Sequence, residues 1–145
     1  MISPHPYLDS LNNFEAFLHK VKPDDFHIGR VKEVLTLLNN PHEGLNVIHV
    51  AGTKGKGSTC MMIASILATT GLKVGLYTSP HLHRVNERIR VLTHSNLHQA
   101  EDFPGSITDQ ELELLISKVR GAIAVIENKG GFITYFEALT ILAAM

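Results

Sequence analysis

Two amphipathic helices are predicted near the start of the chain. Residues three and four positions apart lie on one face of a helix, and apolar residues recur at that spacing in two stretches. The polar run 22–25 (KPDD) between the stretches predicts a turn. The apolar positions are Leu11, Phe14, Phe17 and Leu18 in the first helix and Val31, Val34, Leu35 and Leu38 in the second.

The next stretch predicts a strand, a glycine loop, a helix and a second strand. Residues 45–51 (LNVIHVA) are apolar and bounded by glycines, which is typical of a strand buried on both faces of a parallel sheet. Residues 58–70 follow as a helix that ends at Gly71, and residues 73–78 (KVGLYT) as the next strand. This order favours a right-handed parallel crossover and an α/β fold.

The second half predicts an edge strand and two helices. Charged and apolar residues alternate over 88–93, which is typical of an edge or hairpin strand with one face in water, and residues 94–106 read as a surface loop. Thr108 and Glu111 form a capping box, so a helix is predicted from there to about Gly130.

The last segment, 134–145 (TYFEALTILAAM), is apolar and rich in helix formers. It has no evident cap residue and no polar residues at its end, so we expect the chain to stop inside a secondary-structure element. Residues 1–145 are then the first part of a longer domain, and we expect this chain alone to have little or no activity.

Composition narrows the functional class. Thirteen basic and fourteen acidic residues give a formal charge of −1, which disfavours nonspecific binding to nucleic acid or to anionic lipid. The single Cys60 cannot form an internal disulfide, and the start lacks a secretory signal. Apolar runs are also too short to cross a bilayer. We therefore expect a cytoplasmic protein without nucleic-acid or membrane partners.

The glycine loop is the most informative segment. Glycines allow inward-pointing backbone amides at a helix start, which together form a cradle for phosphate. Lys56 supplies a full charge, and Ser58 or Thr59 a hydroxyl for phosphate or Mg²⁺. The spacing departs from the common P-loop, and the alternative is a glycine-rich turn with solvated lysines. The predicted ATP-binding residues are Gly52, Thr53, Lys54, Gly55, Lys56, Gly57, Ser58 and Thr59.

Three sequence motifs resemble those of one enzyme family, and they occur along the chain in the same order as in that family. They are residues 48–67 (IHVAGTKGKGSTCMMIASIL), 76–91 (LYTSPHLHRVNERIRV) and 134–144 (TYFEALTILAA). Together they resemble the amino-terminal ATPase region of bifunctional dihydrofolate synthase/folylpolyglutamate synthases, relatives of the Mur ligases. Lys54 stands where many members carry Asn, a change that keeps the loop polar. The fold implied is the truncated Mur-type ATPase domain, a P-loop-type parallel sheet flanked by helices.

The resemblance also implies roles for individual residues. Ser79 matches the family's serine ligand to magnesium, and Lys56 and Glu137 are the candidate catalytic residues. The residues implied at the pterin or folate site are Asp24, Asp25 and Phe26 near the start and Ile133, Thr134, Tyr135 and Phe136 near the end.

From the residues alone, several of these positions have simpler interpretations. Ser79 fits an ordinary Ser-Pro turn, and Tyr135 and Phe136 fit a helix core. A carboxylate among apolar neighbours, as at Glu137, requires a partner. His81 and His83 are predicted to lie outside any metal site. Four charged residues are predicted either to steer anionic substrates or to form a solvated face. They are Arg84, Glu87, Arg88 and Arg90.

The reaction implied is ATP-dependent amide formation between L-glutamate and dihydropteroate or a folate, through an acyl phosphate, with a monomeric parent enzyme. Two other classes stay open. The chain could be a P-loop phosphotransferase complete in itself, or a noncatalytic remnant that binds a nucleotide. The sequence does not decide which folate is preferred.

Overall fold

The computed structural model describes residues 5–15 and 28–145. These residues form two compact units, one of residues 46–112 and one of residues 5–15, 28–45 and 113–145. Several predicted features lie outside the described residues. They are Phe17 and Leu18 of the first helix, the turn 22–25, and the candidate substrate residues Asp24, Asp25 and Phe26.

The first unit is built on a helix followed by a two-stranded sheet. Helix α3 spans Lys56–Thr69, strand β1 spans Val74–Tyr77, and a 3-10 helix at Val85–Arg88 leads into strand β2, Ile89–Leu92. The strands are antiparallel, with Val74 opposite Leu92 and Tyr77 opposite Ile89. Two small residues of α3 let the helix approach the sheet closely. The buried cluster between them consists of Ala64, Ala68, Leu76 and Leu92.

The predicted strand at 45–51 is not formed. Val47 and Ile48 are 76% and 60% exposed, and within the described residues no strand lies beside them. An extended apolar segment becomes a strand only when a neighbour accepts its hydrogen bonds. β1, which was expected to pair in parallel with this segment, pairs antiparallel with β2 instead.

The prediction of a wet face on β2 is wrong. Arg88 and Arg90 are only 3% and 7% exposed. The loop that follows β2 folds back over the strand and accepts a hydrogen bond from Arg90 at Pro104 O. The loop hydrogen bonds to the free edge of β2, from Val91 N to Gly105 O at 2.7 Å and from Ile107 N to Ile89 O at 3.1 Å. The alternation of charged and apolar residues therefore does not indicate that Arg88 and Arg90 are buried.

The second unit is helical. Helix α1 spans Pro6–Asp9, α2 spans Ile28–Leu37, α4 spans Asp109–Asn128 and α5 spans Tyr135–Ala143, with α5 packed on α1 and α2. The predicted α4 and its Thr108–Glu111 capping box are confirmed. Helix α1 lies before the first predicted helix and begins at a proline, a favoured first helical residue. Of that predicted helix, Leu11 lies after α1, and Phe17 and Leu18 lie outside the described residues. No helix in the described ranges combines the length and apolarity needed to cross a membrane.

Helix α5 begins with a capping box, contrary to the prediction from sequence. Thr134 Oγ1 accepts a hydrogen bond from Glu137 N at 3.2 Å, and Glu137 Oε2 accepts one from Thr134 N at 2.8 Å. The sequence Thr-Tyr-Phe-Glu is therefore a capping box, in which each side chain satisfies an orphan amide of the first turn. The expectation of an uncapped helix start was wrong.

We predict that Gly105→Ala destabilises the first unit by at least about 2 kcal/mol. Gly105 has φ +74°, and a Cβ there would collide with the Val91 carbonyl and lie 3.0 Å from Asn96 Nδ2. Urea denaturation followed by circular dichroism measures the change. The control is Gly121→Ala, in α4 with open space around it, which should be neutral or stabilising by up to about 1 kcal/mol. Equal midpoints for the two variants would contradict the prediction.

Candidate functional site

The glycine loop leads directly into the first turn of α3. Gly55 caps the helix with φ 75° and ψ 0°, a left-handed conformation that a residue without Cβ adopts at little cost. Gly55 has no side chain to accept a hydrogen bond from the first-turn amides, and residues 51–59 are exposed. Within the described residues, the first bonded amide is that of Thr59, which donates to Gly55 O at 2.9 Å. The amides of the preceding turn therefore face solvent and can bind an anion.

Lys56 places its charge over this loop. Its Nζ donates to the carbonyl of Gly52 at 2.8 Å, so the side chain bends back across the residues between them. The ammonium is exposed and adds to the partial positive charge of the helix start. An anion that meets the loop amides would also meet this charge.

Ser79 lies at the same end of the first unit as the loop. α3 and β1 are joined by a short turn and packed together, so they run in opposite directions. α3 spans about 20 Å, and the extended path from Lys73 to Ser79 also covers about 20 Å. The start of α3 and the residues that follow β1 are therefore at one level, where α/β sheets bind their ligands.

The residues at this edge fit a magnesium ion held mainly by nucleotide. Among the described residues, no group of three His, Cys, Asp or Glu side chains could hold a metal. The exposed Ser79 offers a single hydroxyl oxygen. Mg²⁺ prefers oxygen ligands and commonly keeps waters and phosphate oxygens in its shell, so one protein hydroxyl is compatible with such a site.

The loop after Ser79 is held by a buried carboxylate. Glu87 is 6% exposed and accepts hydrogen bonds from the amides of Leu82 at 2.9 Å, His83 at 3.0 Å and Arg84 at 2.5 Å. Burial alone would raise the pKa of the Glu87 carboxyl. The three amide hydrogen bonds and the nearby His83 outweigh burial, so its pKa lies below the usual value.

The charged residues of this motif are not a solvated face. Glu87, Arg88 and Arg90 are buried, and Arg90 Nε donates to Pro104 O at 2.9 Å. Burial lowers the pKa of Arg90, but an arginine keeps its charge near neutral pH. Only Arg84 of the four is exposed, where it pairs with Asp109 at 2.6 Å.

The candidate substrate residues of the second unit differ in accessibility. Phe136 is 41% exposed, so its ring is available at the surface. The other candidate residues of the segment, Ile133, Thr134 and Tyr135, are buried, and Tyr135 contributes to the core.

Glu137 has the partner that its surroundings require. Besides capping α5, Glu137 pairs with Arg30 of α2, whose Nη2 lies 3.0 Å from Oε1 and 3.3 Å from Oε2. The guanidinium also lies 4.2 Å from the centre of the Phe132 ring. Both carboxylate oxygens of Glu137 therefore have structural contacts, and the catalytic role of Glu137 stays a prediction.

Comparisons with known proteins agree with the three motifs. No protein-family model matches the chain. The dihydrofolate synthase/folylpolyglutamate synthase of Haemophilus influenzae is 38% identical over 122 residues, which is 84% of this chain and 24% of the relative. Over most of its length, this chain belongs to the dihydrofolate synthase/folylpolyglutamate synthase family.

Solved structures of this family confirm the fold class. The folylpolyglutamate synthetase from Lactobacillus casei superposes with a TM-score of 0.74 at 33% identity, over 96% of this chain and 30% of that one. A folylpolyglutamate synthase–AMPPCP–folate complex gives the same TM-score at 34% identity, over 96% and 30%. The chain is thus an α/β structure of the Mur ligase type that spans less than a third of these relatives.

Sequence reasoning missed the ion pair and the carboxylate that hold the family's motifs in place. Arg30 lies directly before the apolar positions that predict the second helix, and Glu87 is predicted either to steer anionic substrates or to lie on a solvated face. The available signal was the motif itself. Charged residues in a segment that closely follows a family pattern are candidates for buried, fully bonded roles.

We predict that Glu87→Gln lowers the free energy of unfolding at pH 7 by about 1–3 kcal/mol, because an amide group would face three donors. The lowered pKa means that the carboxylate stabilises the folded state above the ordinary glutamate pKa of about 4.3, and loses this effect as pH falls through the folded value. The difference from wild type should therefore shrink below about pH 4.

Urea unfolding at a series of pH values measures this difference. The control is Glu101→Gln, an exposed glutamate of the same unit, which should track wild type at every pH. A Glu87→Gln deficit that stays constant from pH 7 to acid would contradict the assignment.

Proposed function

We propose that this chain is the nucleotide-binding part of an ATP-dependent ligase that joins L-glutamate to dihydropteroate or to a folate. The observation that carries the proposal is the glycine loop at the start of α3, with solvent-facing amides and the Lys56 ammonium above them. Family membership supplies the reaction class. The whole enzyme's activity is part of the proposal, because this chain spans only a fraction of its relatives.

The loop is proposed to bind the phosphates of ATP. Residues from Gly52 to Thr59 would present amides and hydroxyls, and Lys56 would neutralise negative charge as the terminal phosphoryl group is transferred. Phosphoryl transfer requires alignment and charge neutralisation more than covalent participation by the protein. This combination of backbone amides and a single ammonium suits that requirement.

Ser79 is proposed to contribute one oxygen ligand to Mg²⁺. The ion, when bound, supplies further charge neutralisation at the phosphates. The contribution of this chain is to hold the Ser79 hydroxyl at the edge of the sheet where the loop also lies.

The reaction forms an amide in two steps. The substrate carboxylate takes the terminal phosphoryl group of ATP and releases ADP, which gives an acyl phosphate. The amino group of L-glutamate then attacks the acyl carbon, phosphate leaves, and the amide nitrogen loses a proton. We propose a cytoplasmic monomer as the parent enzyme.

The segment 133–136 is proposed to contribute to the pterin or folate site, together with Asp24, Asp25 and Phe26. Phe136 is the member of the segment whose ring is accessible for stacking on a flat pterin. Ile133, Thr134 and Tyr135 would support it from within the unit. Glu137 would fix the start of α5 through its cap and its ion pair with Arg30.

We predict that Lys56→Ala weakens the binding of MgATP to this chain by about tenfold or more, the cost of losing a charged hydrogen-bond donor. Isothermal titration calorimetry measures the dissociation constant. The control is Lys118→Ala, which removes an exposed lysine from α4 and should bind like wild type. Wild-type affinity in Lys56→Ala would overturn the proposed phosphate site. A wild-type chain without nucleotide binding would also exclude the remnant and phosphotransferase alternatives.

We predict that Phe136→Ala weakens the binding of dihydropteroate or tetrahydrofolate to the MgATP-saturated chain by about fivefold, because a stacking contact is worth roughly 1 kcal/mol. Fluorescence titration measures the affinity. Leu114→Ala, on an exposed position of α4, is the matched control and should have no effect. Unchanged affinity in Phe136→Ala would remove this residue from the substrate site.

A further inference from the structure

One residue, Arg88, contacts both ends of the segment that carries Ser79. After β1 ends, the pairing with β2 continues for one more hydrogen bond, from Thr78 N to Arg88 O at 3.0 Å. The Arg88 side chain then reaches the residue two positions beyond Ser79, where its Nε donates to His81 Nδ1 at 2.9 Å. Ser79 therefore lies between two contacts made by one residue.

Arg88 is itself firmly held. It is 3% exposed and ends the 3-10 helix Val85–Arg88 immediately before β2, so its backbone is fixed by regular structure on both sides. A buried guanidinium that gave up its hydrogen bonds would leave a charge without compensation. The preceding residue, Glu87, fixes the next part of the loop through three amides.

The side-chain contact also defines the state of His81. An arginine Nε–H can only donate, so Nδ1 of His81 must accept. The imidazole in this contact is then neutral and carries its proton on Nε2. Replacement by Asn keeps an acceptor near the position of Nδ1, whereas replacement by Leu removes it at similar volume.

We propose that Arg88 is a positioning residue for Ser79, which it holds by its carbonyl on one side and by its guanidinium, through His81, on the other. The inference rests on the proposed function, in which Ser79 gives an oxygen to Mg²⁺. A single neutral hydroxyl is a weak ligand, and its contribution falls if the loop must be ordered on binding. Contacts that orient a metal ligand are worth about 10- to 100-fold in metal affinity.

The test compares ATP affinity with and without the metal in four variants of the full chain. Calorimetry gives the dissociation constant of ATP in excess Mg²⁺ and again in EDTA, and the ratio of the two reports on metal coupling alone. Ser79→Ala, Arg88→Met and His81→Leu should each reduce the wild-type ratio by about tenfold, with affinity in EDTA within about twofold of wild type. His81→Asn should keep the wild-type ratio.

A second measurement follows the contact itself. Long-range ¹⁵N–¹H spectra of the imidazoles should show His81 as the Nε2–H tautomer in wild type and as a mixture in Arg88→Met. If the buried substitution unfolds the chain, the pair His81→Leu and His81→Asn still decides the question, because His81 is partly exposed.

The outcomes separate the two proposals. If Ser79→Ala keeps the wild-type ratio, or wild type shows no metal coupling, the metal role of Ser79 fails and the positioning role fails with it. If Ser79→Ala lowers the ratio but His81→Leu does not, only the role of Arg88 is overturned. An equal loss in His81→Asn and His81→Leu would also overturn it, because the acceptor at Nδ1 would then not matter.

Discussion

The start of α3 presents amides that no acceptor in the described residues satisfies, and this polar surface is the basis of the proposed site. A helix that begins on Ser, Thr or Asp closes its own first turn with a side-chain cap. Here Gly55 is the cap residue, in a left-handed conformation, and it has no side chain with which to cap the first turn. The contrast with α5 is direct, since Thr134 and Glu137 satisfy each other's amides. Of these two helix starts, only that of α3 is left open to an anion.

The charged residues that follow the Ser79 loop have a structural role. In the fold, Glu87 and Arg88 hydrogen bond to the loop that contains Ser79 and fix its conformation. Glu87 binds three amides of the loop, while Arg88 contacts it at Thr78 and His81. Loops beside a ligand site lose affinity when they must be ordered on binding, so buried charges that order them in advance favour binding. This accounts for charged residues at positions that an amphipathic strand would leave in water.

Periodicity predicted the helices, whose hydrogen bonds are local, and it located strand β1, but it failed for strand pairing and burial that depend on distant residues. The helices α3 and α4 and strand β1 follow from local spacing, glycine stops and the Thr108–Glu111 box, and the structure confirms them. The segment 45–51 has the composition of a buried strand, but a strand also requires a neighbour, which composition does not provide. The burial of Arg90 depends on a loop 14 residues away that supplies the acceptor at Pro104. No local pattern could predict that contact.

The sequence located the glycine loop at 52–59 and the helix start after it, because glycine conformation and helix spacing act locally. The binding of phosphate by this loop stays a prediction. The contact between Lys56 Nζ and Gly52 O was not anticipated, and it changes the energetics of the site. In the proposed site, a phosphate would replace this carbonyl as the partner of the ammonium, so the gain on binding would be the difference between two hydrogen bonds rather than one full bond. The anion would have the advantage because it is charged and could meet the loop amides at the same time, which a single carbonyl cannot do. The same contact keeps the ammonium near the amides without a ligand, which would reduce the side-chain entropy that binding still has to remove.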